Sequence, residues 1–172
     1  IISKKNKVVV RTNSEEFVGK YVFSSILDKT KLKNSSFPYL IQHFEGWFIK
    51  TKKPLFNDNE ATLMDFSIKQ KNDTRFIYIL PFKSNEALVE FTLFSKSILK
   101  KPEYEKVLKQ YMTSKGINNY KILEKEKGII PMTCYPFEKH NDSRLLFIGT
   151  AGGWTKASSG YTFKNIINKT EL

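Results

Sequence analysis

The stretch "GTAGGWTKASSGYTF", Gly149 to Phe163, gathers four of the chain's eight glycines into twelve positions. Before it, Arg144-Leu145-Leu146-Phe147-Ile148 has the apolar density of a buried strand. After it, Phe163, Ile166 and Ile167 recur at helical spacing. The order is therefore strand, glycine-rich loop, helix. Such a loop lets backbone come close to a ligand. A helix start near Ser158 to Gly160 offers free N–H groups and a partial positive charge. A tight turn with a glycine-tolerant bend is the plainer alternative, so the surrounding chain has to decide.

A length of 172 residues, 40% apolar with 14% aromatics, suits a folded chain with a real core. The chain opens at Ile1 rather than methionine and is read as an internal piece of a longer protein. No apolar run is long enough to span a membrane, and no signal peptide is visible. The single cysteine, Cys134, excludes an internal disulfide framework and is expected as a small buried filler. His43 and His140, the only histidines, have no acid or thiol at ligand spacing, so no metal site is expected. Four N-x-S/T sequons, Asn34-Ser35-Ser36 and Asn72-Asp73-Thr74 among them, are read as chance.

The net charge of +12 brings nucleic acid to mind, but only Arg11, Arg75 and Arg144 are arginines. Phosphate and base-edge recognition favours the arginine fork, and no recognition-helix signature is present. Nucleic acid is therefore not expected as a partner. The scattered lysines read as solvated faces, with attraction to an anionic lipid surface as a second reading.

Lys7–Arg11 and Phe17–Phe23 read as a hairpin or meander, and Ser24–Phe37 as a polar linker. Tyr39–Lys50 and Ala61–Ile68 read as strands. Arg75–Phe82 and Ala87–Phe94, joined by Lys83-Ser84-Asn85-Glu86, are the strongest hairpin signal. Pro102–Lys115 is the clear helix: Tyr104, Val107, Leu108, Tyr111 and Met112 share one face, and Gly116 is its stop. Tyr120–Lys127 continues as a strand through Met132. The expected class is α+β with an α/β portion. A mostly antiparallel substrate sheet carries one main helix, and the closing strand–loop–helix reads as part of a nucleotide-binding α/β layer. The expected parts are 1–36, a strand pair and linker, 37–144, the sheet with its helix, and 145–172, the strand–loop–helix.

Six stretches carry a resemblance: Gln42-His43-Phe44-Glu45-Gly46-Trp47, Ala61 to Phe66, Tyr78-Ile79-Leu80-Pro81, Leu88-Val89-Glu90-Phe91-Thr92, Ile130-Pro131-Met132, and Gly149 to Gly153 followed by Ser159-Gly160-Tyr161. In this order, from about Tyr21 to Phe163, they resemble the lycopene cyclase family, whose members are similar to flavoproteins of the p-hydroxybenzoate hydroxylase type. The resemblance implies a bacterial carotenoid cyclase that closes the ends of lycopene into rings. FAD would be the cofactor, working in its reduced form, with NAD(P)H as the reductant; residues 1–36 would end a flavin-binding α/β domain, 37–144 bind substrate, and 145–172 contact the flavin again. The protein would be cytoplasmic or peripheral to the inner face of a membrane.

Gly149, Thr150, Ala151, Gly152, Gly153, Ser159 and Gly160 would approach the flavin. The family's N-terminal dinucleotide fingerprint is absent here, so the 172 residues alone are not expected to hold FAD. Thr150 stands where related flavoproteins carry an aspartate, and Lys156-Ala157 where many cyclases have His-Pro.

Glu90 matches the first acid of the family's apolar-Glu-acid-Thr motif, with Phe91 in place of the second. Its strand alternation puts it on a face with Leu88, Thr92 and Phe94, where desolvation raises a carboxyl pKa toward that of a general acid. A salt bridge to Arg75 is the bland alternative. Asp65 is the second acid candidate, either orienting Glu90 or satisfying backbone donors. Phe44, Trp47, Phe66, Phe91 and Phe94 are candidates to line a substrate tunnel, and plain core is the alternative for each. Two other functions stand beside the cyclase: an FAD-dependent monooxygenase or oxidoreductase acting on another lipophilic substrate, and a non-enzymatic lipid-binding domain.

Overall fold

The computed structural model describes residues 1–33 and 36–171. Asn34 and Ser35, within the expected linker and the first sequon, lie outside the described residues, as does Leu172. The described chain forms two compact units. One comprises Ile1–Tyr39 with Pro131–Leu172, the other Leu40–Ile130. The sequence expected partings at 36/37 and 144/145.

The second unit is built on a five-stranded sheet in the order β6-β7-β8-β5-β9. Its strands are β5 (Tyr39–Thr51), β6 (Thr62–Asp65), β7 (Thr74–Lys83), β8 (Glu86–Ser95) and β9 (Tyr120–Thr133). The β7–β8 hairpin forms as the alternation predicts, closing at Lys83↔Glu86 around Ser84-Asn85. Pro81 has no β6 partner beyond Thr62↔Ile79, so its missing N–H breaks no ladder on that side. The strand expected over Ala61–Ile68 is shorter, because Met64 takes φ 51° and shifts the register between Thr62 and Asp65.

Helix α2, Lys101–Ser114, covers one face of this sheet. Its start is fixed by Pro102 and by Glu103, whose carboxylate accepts the Lys100 N–H at 2.9 Å. It stops at Gly116, φ +74°. Tyr104, Leu108, Tyr111 and Met112 pack on Trp47, Ile49, Ile77, Val89, Phe91 and Leu93. Each large side chain buried in full there contributes roughly 1.5–3 kcal/mol. His43 ties the layers together: its Nδ1 meets the Tyr104 hydroxyl at 2.5 Å, and its Nε2 meets Ser95 Oγ at 2.8 Å.

The first unit carries an antiparallel meander of β1 (Ile2–Lys4), β2 (Lys7–Arg11) and β3 (Glu16–Gly19). The run expected as one strand over Phe17–Phe23 divides at Lys20-Tyr21. Its second part, β4 (Val22–Ser24), pairs in parallel with β10 (Leu145–Phe147). Within the expected linker, Lys29–Lys33 form a short helix, α1, whose Leu32 packs with Tyr135 and Phe137. Cys134 is exposed rather than buried: β9 ends at Thr133, and the buried neighbours are Met132 and Tyr135. Helix α3, Phe163–Thr170, closes the chain. It starts three residues after Gly160, later than expected. No helix among the described residues is long and apolar enough to cross a membrane.

Candidate active site

The sheet face opposite α2 carries the site. Residues opposed in an antiparallel ladder share a face. Glu90 pairs with Tyr78 on one side and Gly46 on the other; Thr92 pairs with Phe76 and Phe44; Phe94 pairs with Gln42. Aromatic rings frame this face. Phe76 meets Phe66, Tyr78 and Phe94 edge-on at 5.5, 5.2 and 5.6 Å, and Phe48 stacks on Phe82. The Phe44 ring lies over Gly128 of β9, where any Cβ would overlap it. Of the expected lining residues, Phe44, Phe66 and Phe94 are thus brought to the side of Glu90.

Trp47 and Phe91 are not. Both are fully buried against α2 on the opposite face, which places them in the core and out of reach of this surface. The Trp47 indole N–H donates to Glu45 at 2.9 Å.

Glu90 has two polar partners. The Thr92 hydroxyl donates to its Oε1 at 2.5 Å. The second is Glu126 of β9, a neighbour across β5: its Cγ and Oε1 lie 3.0 Å from where a Cβ on Gly46, the residue opposite Glu90, would stand. Burial comes first among the forces on Glu90 and raises its pKa. The Thr92 hydrogen bond pulls it down, and Glu126 pushes it up again. The net shift is from an ordinary 4.5 to about 7. Arg75 plays no part in this: its guanidinium is paired with Asp73, to which Nη2 donates at 2.6 Å. Glu126 is the residue sequence reading missed, because Glu124-Lys125-Glu126-Lys127 has the alternation of a solvated strand edge.

Asp65 lies elsewhere. Its carboxylate accepts the Tyr111 hydroxyl at 2.7 Å and the Ser67 N–H at 2.8 Å, and it pairs with Lys115 at 3.0 Å. Burial raises its pKa, but the bonds from Ser67, Tyr111 and Lys115 outweigh burial and hold it well below the carboxylate range. An acid held ionised in this way pins β6 to α2 and has no proton to give at neutral pH. The cavity of about 530 Å³ between α2 and the segment after β6, lined by Ser67, Lys69, Arg75, Lys106 and Gln110, is also remote from Glu90. Among the described residues no cluster of three or more acids, histidines or thiols could hold a metal ion.

The glycine-rich loop of the first unit is a single 3₁₀ turn, Gly149–Gly152, bounded by Gly149 at φ +58° and Gly153 at φ +72°. Gly152 is required by packing, since a Cβ would overlap the Phe147 carbonyl. Gly149 faces open space, with nothing within 4 Å of where its Cβ would be. The first amides of such a turn, those of Thr150 and Ala151, have no partner within it. The hydroxyls of Thr150, Thr155 and Thr162 form a chain at 3.0 and 2.9 Å that braces the loop. Ser159 and Gly160 belong to a second turn, in which both N–H groups donate to the Lys156 carbonyl. An open glycine beside free amides on a braced loop fits the approach of a flavin's polar chain.

A family model described as lycopene cyclase protein matches residues 3–172. No curated protein matches the sequence. Among solved structures, the chain is similar to a geranylgeranyl bacteriochlorophyll reductase-like protein from Thermoplasma acidophilum. The identity is 14% and the TM-score 0.62, over 97% of this chain and 44% of that one. It also matches the tetracycline destructase Tet(51), at 13% identity and TM-score 0.42, over 88% of this chain and 43% of that one. The first likeness shows the fold, and the chain spans less than half the length of that protein.

Proposed function

The chain belongs to the lycopene cyclase family, and from that premise we propose that it is the substrate-binding and partial flavin-binding portion of an FAD-dependent lycopene cyclase. Family membership implies a flavin and a carotenoid-related role; the ring-forming chemistry is our reading of Glu90. One observation carries it. A half-buried carboxyl, its pKa pushed up by that burial from 4.5 to about 7, stands on a face framed by Phe44, Phe66, Phe76 and Phe94.

An alkene is a weak base, and its protonation needs a group that still carries its proton, held in contact with it. Glu90 gives its proton to the terminal double bond of the linear carotenoid. The resulting tertiary cation is attacked by the neighbouring double bond, and a carbon–carbon bond closes the ring. The ring cation then loses a proton from an adjacent carbon to the carboxylate, forming the ring double bond. One proton enters and one leaves, so the net change is an isomerisation with no electrons transferred. The aromatic faces supply negative quadrupole toward the cation and exclude water that would trap it. A reduced flavin, when bound, would supply negative charge that stabilises a cation. Gly149, Thr150 and Ala151 are the residues that would hold its polar chain.

The test is Glu90→Gln in the intact protein, expressed in lycopene-accumulating bacteria with pigment analysis. General acids contribute on the order of 10²–10⁴ in rate, so lycopene is expected to persist. Cyclic carotenoid at close to the parent rate overturns the reading.

A further inference from the structure

Resting on Glu90 as the proton donor, we propose that Glu126 is its positioning partner, a second carboxyl that reaches across β5 above Gly46 and keeps the transferable proton on the pair. Glu90 belongs to β8 and Glu126 to β9, and β5 runs between them. Two strand spacings separate their backbones, roughly 10 Å. A side chain on β5 in that row would stand between the two acids. The residue there is Gly46, directly opposite Glu90. The position its Cβ would take is 3.0 Å from both Cγ and Oε1 of Glu126, and 2.8 Å from Cδ1 of Leu88. Glu126 therefore occupies the space that glycine leaves free, on the sheet face that carries Glu90.

The surroundings leave this interaction unopposed. Glu90 is faced by Tyr78 from β7, by Leu88 and Thr92 of its own strand, by Gly46 from β5 and by Glu126 from β9. Among the described residues, the charge acting on Glu90 is that of Glu126. Two like charges in contact cannot both form at low cost, so the pair retains one proton where a lone glutamate has none. That proton is the one transferred to the alkene. While it is on the substrate, both carboxylates face the cation, and the proton lost on ring completion returns to the pair. The cycle closes without an oxidant or a second acid.

The experiment is the pH dependence of cyclisation by the intact protein carrying Glu126→Gln, beside the parent and Glu90→Gln. The amide matches the carboxyl in shape but carries no charge. The alkaline limb of the rate profile is expected to move to lower pH by about one unit or more. An alkaline limb that stays in place overturns the proposal. Should the glutamine variant not fold, Glu126→Thr, suited to a strand, is read in the same way. Carbon-13 NMR titration of the Glu90 carboxyl supplies a readout independent of turnover: its midpoint falls in the variant if Glu126 acts on it, and an unchanged midpoint overturns the proposal. Cyclisation surviving in Glu90→Gln instead defeats the proton-donor reading, whatever Glu126 does to the titration.

Discussion

Gly46 stands opposite Glu90 on the β5–β8 ladder, and the space above it is filled by the Glu126 side chain at 3.0 Å. An added methyl would meet Leu88 Cδ1 at 2.8 Å and Glu126 Cγ and Oε1 at 3.0 Å, all atoms of flexible side chains that can give way. Gly46→Ala is therefore expected to fold at a cost near the low end of overpacking, about 1 kcal/mol. Its larger effect is to push Glu126 aside and lower the pKa of Glu90. Urea denaturation reads the first quantity and carboxyl titration the second. A loss of several kcal/mol would mean that the row is packed more rigidly than the side-chain ends imply.

Glu90 also imposes a pH dependence on stability. Its folded pKa, about 7, lies above the ordinary 4.5. Between those values the folded chain holds more protons than the unfolded chain, so stability falls as pH rises through that window. Acidification from neutral pH toward 5 is thus expected to strengthen this part of the fold, against the usual trend for carboxylates. In Glu90→Gln the slope over that window should flatten. Denaturation midpoints measured across it check the sign, and an unaltered slope in the variant would remove Glu90 as its source.

Asp65 behaves in the opposite sense. Held ionised by Ser67, Tyr111 and Lys115, it contributes stability that is fully present above its ordinary 3.8 and is lost as pH falls below it. Tyr111→Phe deletes the 2.7 Å bond to that carboxylate. Hydrogen bonds to charged groups are worth roughly 1.5–3 kcal/mol, and a loss in that range at neutral pH is expected. Asp65→Asn should blunt the acid limb of the stability profile. If Asp65 instead served Glu90, Asp65→Asn would move the Glu90 titration, and the separation of the two acids onto opposite sides of the sheet predicts that it does not.

The parts of the fold that were legible are those in which local pattern and packing agree. The alternation of Leu88, Glu90, Thr92 and Phe94 fixed both the hairpin and the face of Glu90, and the apolar stripe of Tyr104, Leu108 and Met112 fixed α2. The same alternation also places Phe91 on the far side of the strand from Glu90, so a motif that sets them side by side in sequence separates them in space. Trp47 follows the same parity on β5, one residue after Gly46. Glu126 was not legible, because its role depends on a glycine in another strand and on the order of β8, β5 and β9. The turn at Met64 has no local signal, whereas the short helix Lys29–Lys33 has one in Asp28, whose Oδ1 accepts the Thr30 N–H at 3.0 Å.

The glycine-rich loop can be tested against a matched control. Gly149 has φ +58° and Gly116 φ +74°, and an added Cβ meets nothing within 4 Å at either. Alanine is strained at both positions by the same backbone geometry, at about 1 kcal/mol or somewhat more. Gly149→Ala and Gly116→Ala should therefore lower stability by similar amounts in thermal denaturation of the intact protein. They should differ in flavin retention. Gly116 ends α2, in the unit that carries Glu90, whereas Gly149 opens the turn whose free amides suit a polar ligand. A methyl at Gly149 fills the open side of that turn, so Gly149→Ala is expected to lose flavin through gel filtration while Gly116→Ala keeps it, as read from visible absorbance. Equal retention in the two variants would leave Gly149 as a turn residue only and remove this loop from the flavin site.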